Sequence, residues 1–500
     1  MRKVLYILLM AILSLPLSAQ QKSGKRGVCW DEKTLSFSER PMQLMAPGVS
    51  WLYNWGTTPK NPSVVGPGHD IEFAPMCWNG NFNETVLRNY LTNHPGVKYL
   101  LAYNEPNISG SSGGCSMTPA QAANAWPRLE KIADDFNLKI VAPALNFSGD
   151  NVGGRVYNTP YDWLEEFLKL CPNARFDYLC LHCYMDYAGA VKWFATEYFY
   201  NDIYSADNQR KYPTLVNYLR NHEELPLFLT EFCAMGNDFR PNGLTPSVDL
   251  QIDHMTQKLQ YLEQSDKVAA YAWFMANGNA AQSPYWSLLQ TNRSTSDLSE
   301  VGKVYVHMSA FDKKKYYKPG ETIMAKDYID ASTDDQQVKL RSNSDNASAT
   351  EIPLQVEFQF GAWATYQLDL PSDGEYSITM NCKSAADNDI WLYVDNKKVK
   401  TTTLANTANV WAERELKLTL TAGQHKLMVF NTSASSVFIN RLTLNVTSGI
   451  GSVPAADGEP VGTPTYYSLD GTEVSTPTNG VFIAKTTYTN GEIRTKKIIK

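Results

Sequence analysis

Two hydrophobic periods divide this chain. Between residues 27 and 275, short continuous apolar runs alternate with longer segments in which apolar residues return at helical spacing. The continuous runs, at 27–30, 49–53, 71–76, 98–103, 139–142, 176–182, 225–230 and 268–274, predict β-strands. The segments at 85–93, 119–136, 161–170 and 245–264 predict helices. Pro119 and Pro246 suit first helical turns, where the missing N–H has no intrahelical partner to lose. Strands and helices in this alternation point to a (β/α)8 barrel, with a doubly wound parallel sheet as the competing architecture. From about residue 317 to 446 the period changes to two. Runs such as 363–370, 374–380, 390–395, 415–420, 425–430 and 437–444 alternate apolar with polar residues between polar turns, which predicts an all-β sandwich. Residues 448–464 are rich in Gly, Pro and Ala and read as a linker. Residues 465–500 carry a small β tail. At the start, Arg2-Lys3 precedes an apolar stretch from Val4 to Leu13, the pattern of a signal peptide cleaved near Ala19 or Gln20. The expected organisation is a signal peptide over 1–20, a (β/α)8 domain over 21–312, a sandwich over 317–447, a linker over 448–464 and a β segment over 465–500.

Composition narrows the class. The 500 residues exceed one ordinary domain, and 43% hydrophobic content is enough for large cores. A net charge of −6 without a long basic run argues against nucleic acid as a partner. Beyond the N-terminus no stretch of ~18 apolar residues occurs, so no integral membrane segment is expected after signal removal. A secreted monomer is expected, in the periplasm, at the outer-membrane surface or outside the cell. Export permits disulfides among the eight cysteines, whose pairing is not legible. Cys180-Leu-His-Cys183 has a metal-like spacing, but on a strand Cys180 and Cys183 point to opposite faces, and no second ligand cluster follows. No metal and no cofactor is therefore expected. Aromatic content of 12%, with 12 Trp and 28 Tyr, supplies large cores and also flat faces on which sugar rings stack.

The chemistry concentrates in Tyr103-Asn-Glu-Pro-Asn107 and Leu229-Thr-Glu-Phe232. Each sets one glutamate where an apolar strand ends, and a carboxylate there is expensive without a partner or a task. In a parallel barrel the C-terminal strand ends carry catalysis. There stand Trp55 and Trp78, Asn104 and Glu105, His182 and Tyr184 (one face by parity), Glu231 and Trp273. Of Trp51, Tyr53 and Trp55, some are expected to face the core. Two carboxylates among Trp, Tyr, Asn and His suit glycoside hydrolysis, with Glu105 as acid/base and Glu231 as nucleophile. Carboxyl groups about 5–5.5 Å apart would give retention, and ~6.5–9.5 Å inversion.

The ordered runs Phe73-Ala-Pro-Met-Cys-Trp78, Tyr99-Leu-Leu-Ala-Tyr-Asn-Glu-Pro-Asn107, Val141-Ala-Pro-Ala-Leu145, Phe176-Asp-Tyr-Leu-Cys-Leu-His-Cys-Tyr184, Leu227-Phe-Leu-Thr-Glu-Phe232 and Tyr271-Ala-Trp-Phe274 resemble glycoside hydrolase family 128. The resemblance covers about residues 25–310. It implies a retaining (β/α)8 enzyme on β-1,3-glucan, with endo action on laminarin-type chains as the leading expectation. It implies further that Asn104 bonds the sugar 2-hydroxyl, Tyr184 donates to Glu231, His182 lines the floor, Trp273 forms the stacking platform, and Trp55 and Trp78 serve outer subsites. Residues 361–363, 368–376, 391–395, 422–427 and 438–440 resemble a family 6 or 35-like carbohydrate-binding module. That resemblance implies a sugar site at Trp411 and Asn440, while Lys326 replaces the family's early glutamate and weakens calcium binding. A purely structural sandwich is the alternative. The segments at 466–471, 479–483 and 496–500 resemble the sorting modules of the type 9 secretion system. A β-glycanase of another linkage, or a non-catalytic carbohydrate-binding barrel, remain the rival functions.

Overall fold

The computed structural model describes residues 22–147, 149–184, 191–193, 197–222, 225–234, 247–278, 285–290, 297–343, 353–447, 461–469, 471–488 and 493–499. The signal segment, Pro246 and most of the linker lie outside the described residues.

All eight predicted strands of the first region are present: β1 (Arg26–Cys29), β2 (Trp51–Tyr53), β3 (Glu72–Phe73), β4 (Tyr99–Leu101), β5 (Lys139–Val141), β6 (Leu179–Cys183), β7 (Leu227–Phe232) and β8 (Val268–Trp273). Six form one sheet in the order β3-β2-β1-β8-β7-β6, and β4 pairs with β5. Every pairing is parallel. Strands β1, β2, β6 and β7 are buried at every position, which is why they read as continuous apolar runs. Gly27 sits in β1 because the Trp51 indole lies against it; a Cβ there would fall 2.3 Å from the ring.

The intervening helices begin where their caps direct. α1 (Glu84–Asn93) is capped by Asn83. α2 (Pro119–Asp135) starts with Pro119 behind a Thr118–Gln121 capping box, and α3 (Pro160–Leu170) has the equivalent box from Thr159 and Asp162. α4 (Pro213–Asn221) starts with Pro213, and α5 (Val248–Gln264) and α6 (Glu300–His307) are capped by Ser247 and Ser299.

At the N-terminal ends of the strands a buried arginine ties the layers together. Arg26 Nε donates to the Tyr271 hydroxyl, Nη1 to the Tyr305 carbonyl, and Nη2 to the Ser309 carbonyl and Glu263 Oε1, at 2.6–3.2 Å. Burial opposes the Arg26 charge, but Tyr271 and Glu263 more than offset it and hold the guanidinium protonated.

The second region is β-rich. One antiparallel sheet orders β11 (Lys339–Ser342), β12 (Leu354–Phe358), β19 (Val437–Val446), β14 (Gly374–Lys383) and β17 (Ala412–Leu420), with β9 (Thr322–Met324) also on β19. A second orders β10 (Asp330–Ala331), β13 (Trp363–Leu370), β18 (Gly423–Asn431), β15 (Asn388–Val394) and β16 (Lys397–Leu404). Alternate residues are buried along β15, β17 and β18 as the period of two requires, and along β19 on either side of its bulge. This region docks on α5 through polar contacts. Gln260 Nε2 donates to Ala331 O at 2.9 Å, Gln264 Nε2 to Ile329 O at 3.1 Å, and Arg341 Nη1 pairs with Asp253 Oδ1 at 2.7 Å. The tail forms a four-stranded antiparallel sheet from Thr465–Ser468, Glu473–Val474, Val481–Thr487 and Ile493–Ile499.

None of the eight cysteines forms a disulfide. Among the described residues no helix is long and apolar enough to cross a membrane.

Candidate active site

The C-terminal strand ends bring the two glutamates together. Glu231 lies within β7, and a register irregularity after Leu181 sets His182 of β6 level with it. Glu105 follows β4 with φ 45°, a left-handed conformation that non-glycine residues rarely adopt. Its amide donates to Ala144 O at 2.7 Å, and the Asn104 amide to Trp78 O at 2.9 Å. These bonds extend the parallel pairing past the strand proper and turn both side chains inward.

Glu105, His182 and Glu231 are all buried, and one atom of each lies within 4.8 Å of the others. His182 Nδ1 stands 2.7 Å from Glu105 Oε1 and 3.4 Å from Glu231 Oε2. Its Nε2 meets Thr230 Oγ1 at 2.9 Å. Asn146 Nδ2 donates to the same Glu105 oxygen, Oε1, at 2.9 Å. Glu231 Oε1 accepts from the Tyr53 hydroxyl and from Trp55 Nε1, both at 2.8 Å, and Oε2 accepts from the Tyr184 hydroxyl. A cation would need the same convergence, but each of these oxygens and both His182 nitrogens already have protein partners.

Burial and the neighbouring charges act on Glu231 and His182 in opposing senses. Burial pushes Glu231 above the ordinary glutamate range; His182 opposes that shift, the Glu105 charge adds to it, and the bonds from Tyr184 and Trp55 pull it back. Burial alone would lower His182, but the Glu231 and Glu105 charges raise it above its ordinary value. Tyr53 and Tyr184 are driven well above the usual phenol range by burial and by neighbouring ionisable groups, so both remain hydroxyl donors. Three donors, Tyr53, Trp55 and Tyr184, converge on Glu231 and stabilise its carboxylate against its burial.

These groups form the floor of a cleft of about 1550 Å³, lined among others by Trp55, Trp78, Asn104, Asn146, Phe147, Tyr184, Phe274 and Met275. Asn104 Oδ1 is buried there without a partner. Trp78 and Tyr184 line the cleft, and His182 lies beneath it, fully buried. Trp55 also lines the cleft, but its indole N–H is spent on the nucleophile candidate, a direct contact that an outer-subsite position does not include. Trp51, Tyr53 and Trp55 form an inward ladder, with ring centroids 6.2 and 5.4 Å apart; Trp51 and Tyr53 are core and only Trp55 reaches the cleft.

Trp273, expected as the stacking platform, is not in the cleft. It is fully buried, donates to Trp286 O at 2.7 Å and packs on Phe232 and Tyr305. Its neighbours Phe274 and Met275 line the cleft instead. The sequence reading also passed over Asn146, which stands immediately after the Val141–Leu145 run; the strand-end rule applied there would have found it. In the second region Trp411 is half-buried with Lys383 Nζ 5.0 Å from its ring centroid. Asn440 sits at a bulge of β19, fully buried, with neither side-chain atom bonded.

Comparison with known proteins gives the following. A family model described as glycosyl hydrolase catalytic core matches residues 27–305. Alkali-sensitive linkage protein 1 of Schizosaccharomyces pombe is 25% identical over 299 residues, which is 57% of this chain and 44% of that protein; the chain thus spans less than half of its curated relative. A family 128 (subgroup II) endo-β-1,3-glucanase structure from Pseudomonas viridiflava is 29% identical, covering 57% of this chain and 98% of that one, with a TM-score of 0.42. The C-terminal family 6 carbohydrate-binding module of LamC from Zobellia galactanivorans is 19% identical over 25% of this chain and 97% of that one, with a TM-score of 0.22.

Proposed function

The chain belongs to the glycosyl hydrolase catalytic core family, and from that premise we propose that it is a secreted, retaining endo-β-1,3-glucanase acting on laminarin-type glucan. The observation that carries the reading is the approach of Glu105 and Glu231 to within 4.8 Å at the floor of the cleft. That spacing lies nearer the ~5–5.5 Å of retaining pairs than the ~6.5–9.5 Å that inverting pairs keep open for water, which supports retention. The β-1,3 linkage is supported by the ordered family 128 motifs. A cleft of about 1550 Å³ exceeds the ~300–1,000 Å³ of pockets for drug-sized ligands and suits several sugar units.

The proposal includes closure of β1–β8 into a (β/α)8 barrel, supported by parallel bridges from Met76 to Leu101, Val141 to Tyr178 and Leu145 to Leu181. It includes the domain limits given by the sequence, export directed by residues 1–20, a glycan-binding sandwich using Trp411 and Asn440, and a sorting role for 465–500.

The chemistry follows from the hydrogen bonds. Asn146 and His182 occupy Glu105 Oε1, so the transferable proton belongs on Oε2. From there it passes to the glycosidic oxygen as that bond breaks. Glu231 attacks the anomeric carbon, and its negative charge is lost in the new ester. Tyr53, Trp55 and Tyr184 hold it aligned throughout. Glu105, now a carboxylate, takes a proton from water, and the hydroxide displaces Glu231 with net retention. The unpartnered Asn104 Oδ1 accepts from the sugar 2-hydroxyl.

Product release from laminarin by wild type and Glu231→Gln, with the first-formed anomer followed by NMR, tests the reading. The expected result is β-anomer from wild type and none from the variant. Release that survives the substitution removes Glu231 from this role. An α-anomer refutes retention, and no release by wild type refutes the glucanase.

A further inference from the structure

Glu32 has no part in the chemistry above, yet it is 5% exposed and lies at the cleft. Its bonds all lead to one loop or to its own turn. Glu32 Oε2 accepts from Asn54 Nδ2 at 2.6 Å and from the Lys60 amide at 3.0 Å; Oε1 accepts from the Phe37 amide at 3.4 Å. Lys60 Nζ returns to the Glu32 carbonyl at 2.7 Å. Asn54 passes the restraint on, since its Nδ2 also donates to Thr58 O at 3.0 Å and its Oδ1 accepts from the Gly56 amide at 2.9 Å. Trp55 lies between those contacts with φ 59°. A bulky residue does not hold a left-handed conformation unless its surroundings impose it. That conformation delivers the indole N–H to Glu231 Oε1. Three of the contacts need Glu32 as an acceptor at both oxygens. A carboxylate provides that; an amide turns one donor toward a donor.

We propose that Glu32 is a positioning residue for the nucleophile: it clamps the 54–60 loop so that the Trp55 indole N–H stays on Glu231. The assignment of Glu231 as nucleophile rests on the function proposed above; the clamp itself rests on the contacts. The titratable groups facing Glu231 are Cys29 from β1, Tyr53 from β2, Glu105 beyond β4, Cys180 and His182 from β6, and Tyr184. The clamp leaves all of them in place, so its loss has a defined sign. Removing the Glu32 charge alone favours an ionised Glu231 and moves its titration to lower pH. Losing the Trp55 donor does the opposite.

The test follows Glu231 titration through the Trp55 indole ¹H–¹⁵N resonance, assigned by its absence in Trp55→Phe, and through the acid limb of the kcat/KM profile on laminarin. In Glu32→Ala both midpoints should rise by about half to one pH unit, as loss of one donor to a carboxylate implies, and kcat/KM should fall about tenfold. Glu32→Gln should fall between. Trp55→Phe should raise the acid limb alike, and the double variant Glu32→Ala with Trp55→Phe should shift it no further. A midpoint that stays or moves down in folded Glu32→Ala, or additive shifts in the double variant, overturns the clamp. If Glu32→Ala does not fold, Asn54→Ala removes the same contact from the other side. If wild type cleaves no glucan, the glucanase reading falls, and the indole titration still decides the clamp.

Discussion

Opposite ends of the same strands bury charge in opposite ways. At the N-terminal ends Arg26 meets Glu263, and its remaining donors end on carbonyls and the Tyr271 hydroxyl. Charge is balanced one to one. At the C-terminal ends Glu105 and Glu231 share a single histidine, under an open cleft. Two carboxylates in that proximity oppose each other, and the Glu105 charge accordingly adds to the upward shift of Glu231. Buried charge alone therefore does not mark a functional site. The mark is like charge kept unbalanced where a ligand can reach it, and removing it should trade activity for stability.

The largest expected effect is at Glu231. Replacement by Gln should lower laminarin hydrolysis by about 10⁴-fold, roughly 5.5 kcal/mol in the barrier, measured as initial rates at saturating substrate. The same variant should melt higher. Glu231 titrates above its unfolded value; its stabilising contribution is complete below the ordinary glutamate value and is lost as pH rises through the folded one. Gln does not ionise, so the gain over wild type should widen as pH rises from the ordinary glutamate value through the raised folded one, reaching roughly 2–4 °C by calorimetry. A variant that loses activity and stability together would break the comparison.

Next comes the opposite end. Arg26→Met leaves Glu263 buried without its partner and should destabilise the fold by about 3–5 kcal/mol in urea unfolding. Activity per folded molecule should stay at the wild-type level, because none of the Arg26 bonds reaches the cleft. Tyr184→Phe sharpens the upper end. It removes one donor from Glu231 while keeping the ring, and kcat should fall about 10²-fold with little change in KM, as for a donor that acts in the transition state.

What the sequence disclosed divides along the same line. Glu105 and Glu231 were legible because a carboxylate ending an apolar run is costly anywhere, whatever the fold. His182 and Tyr184 followed from parity, since residues two apart share a face. The resemblance gave Trp273 the stacking role, but the strand hands the cleft to Phe274 one position later and the Trp273 indole turns to Phe232 and Tyr305. The direction of an indole N–H has no sequence signal, so Trp55 read as an outer-subsite residue and not as a donor to Glu231. The polar face of α5 carries no sequence signal of what covers it. Gln251, Gln257 and Gln260 look like a solvated stripe, yet all three are buried; Gln257 and Gln260 bond the β-rich region, and Gln251 bonds Ala234 O within its own. Periodicity reports one segment's own faces; it does not report a second domain that arrives later in the chain.

The smallest effect extends the comparison to the β-rich region. Asn440 is buried at a bulge with both side-chain polar atoms unbonded. A buried amide left so costs about 1–3 kcal/mol, and bulges re-aim side chains where a surface is put to use. Asn440→Leu keeps the volume and removes the unmet groups. It should raise stability by about 1 kcal/mol, read from chemical denaturation, while retention on an insoluble β-1,3-glucan column falls. Stability and binding moving in opposite directions is the signature predicted for Glu231, and it would make the bulge a second site of the same kind. Stability rising with retention unchanged would leave Asn440 a defect that the sandwich tolerates, and the glycan site would pass to Trp411 without it.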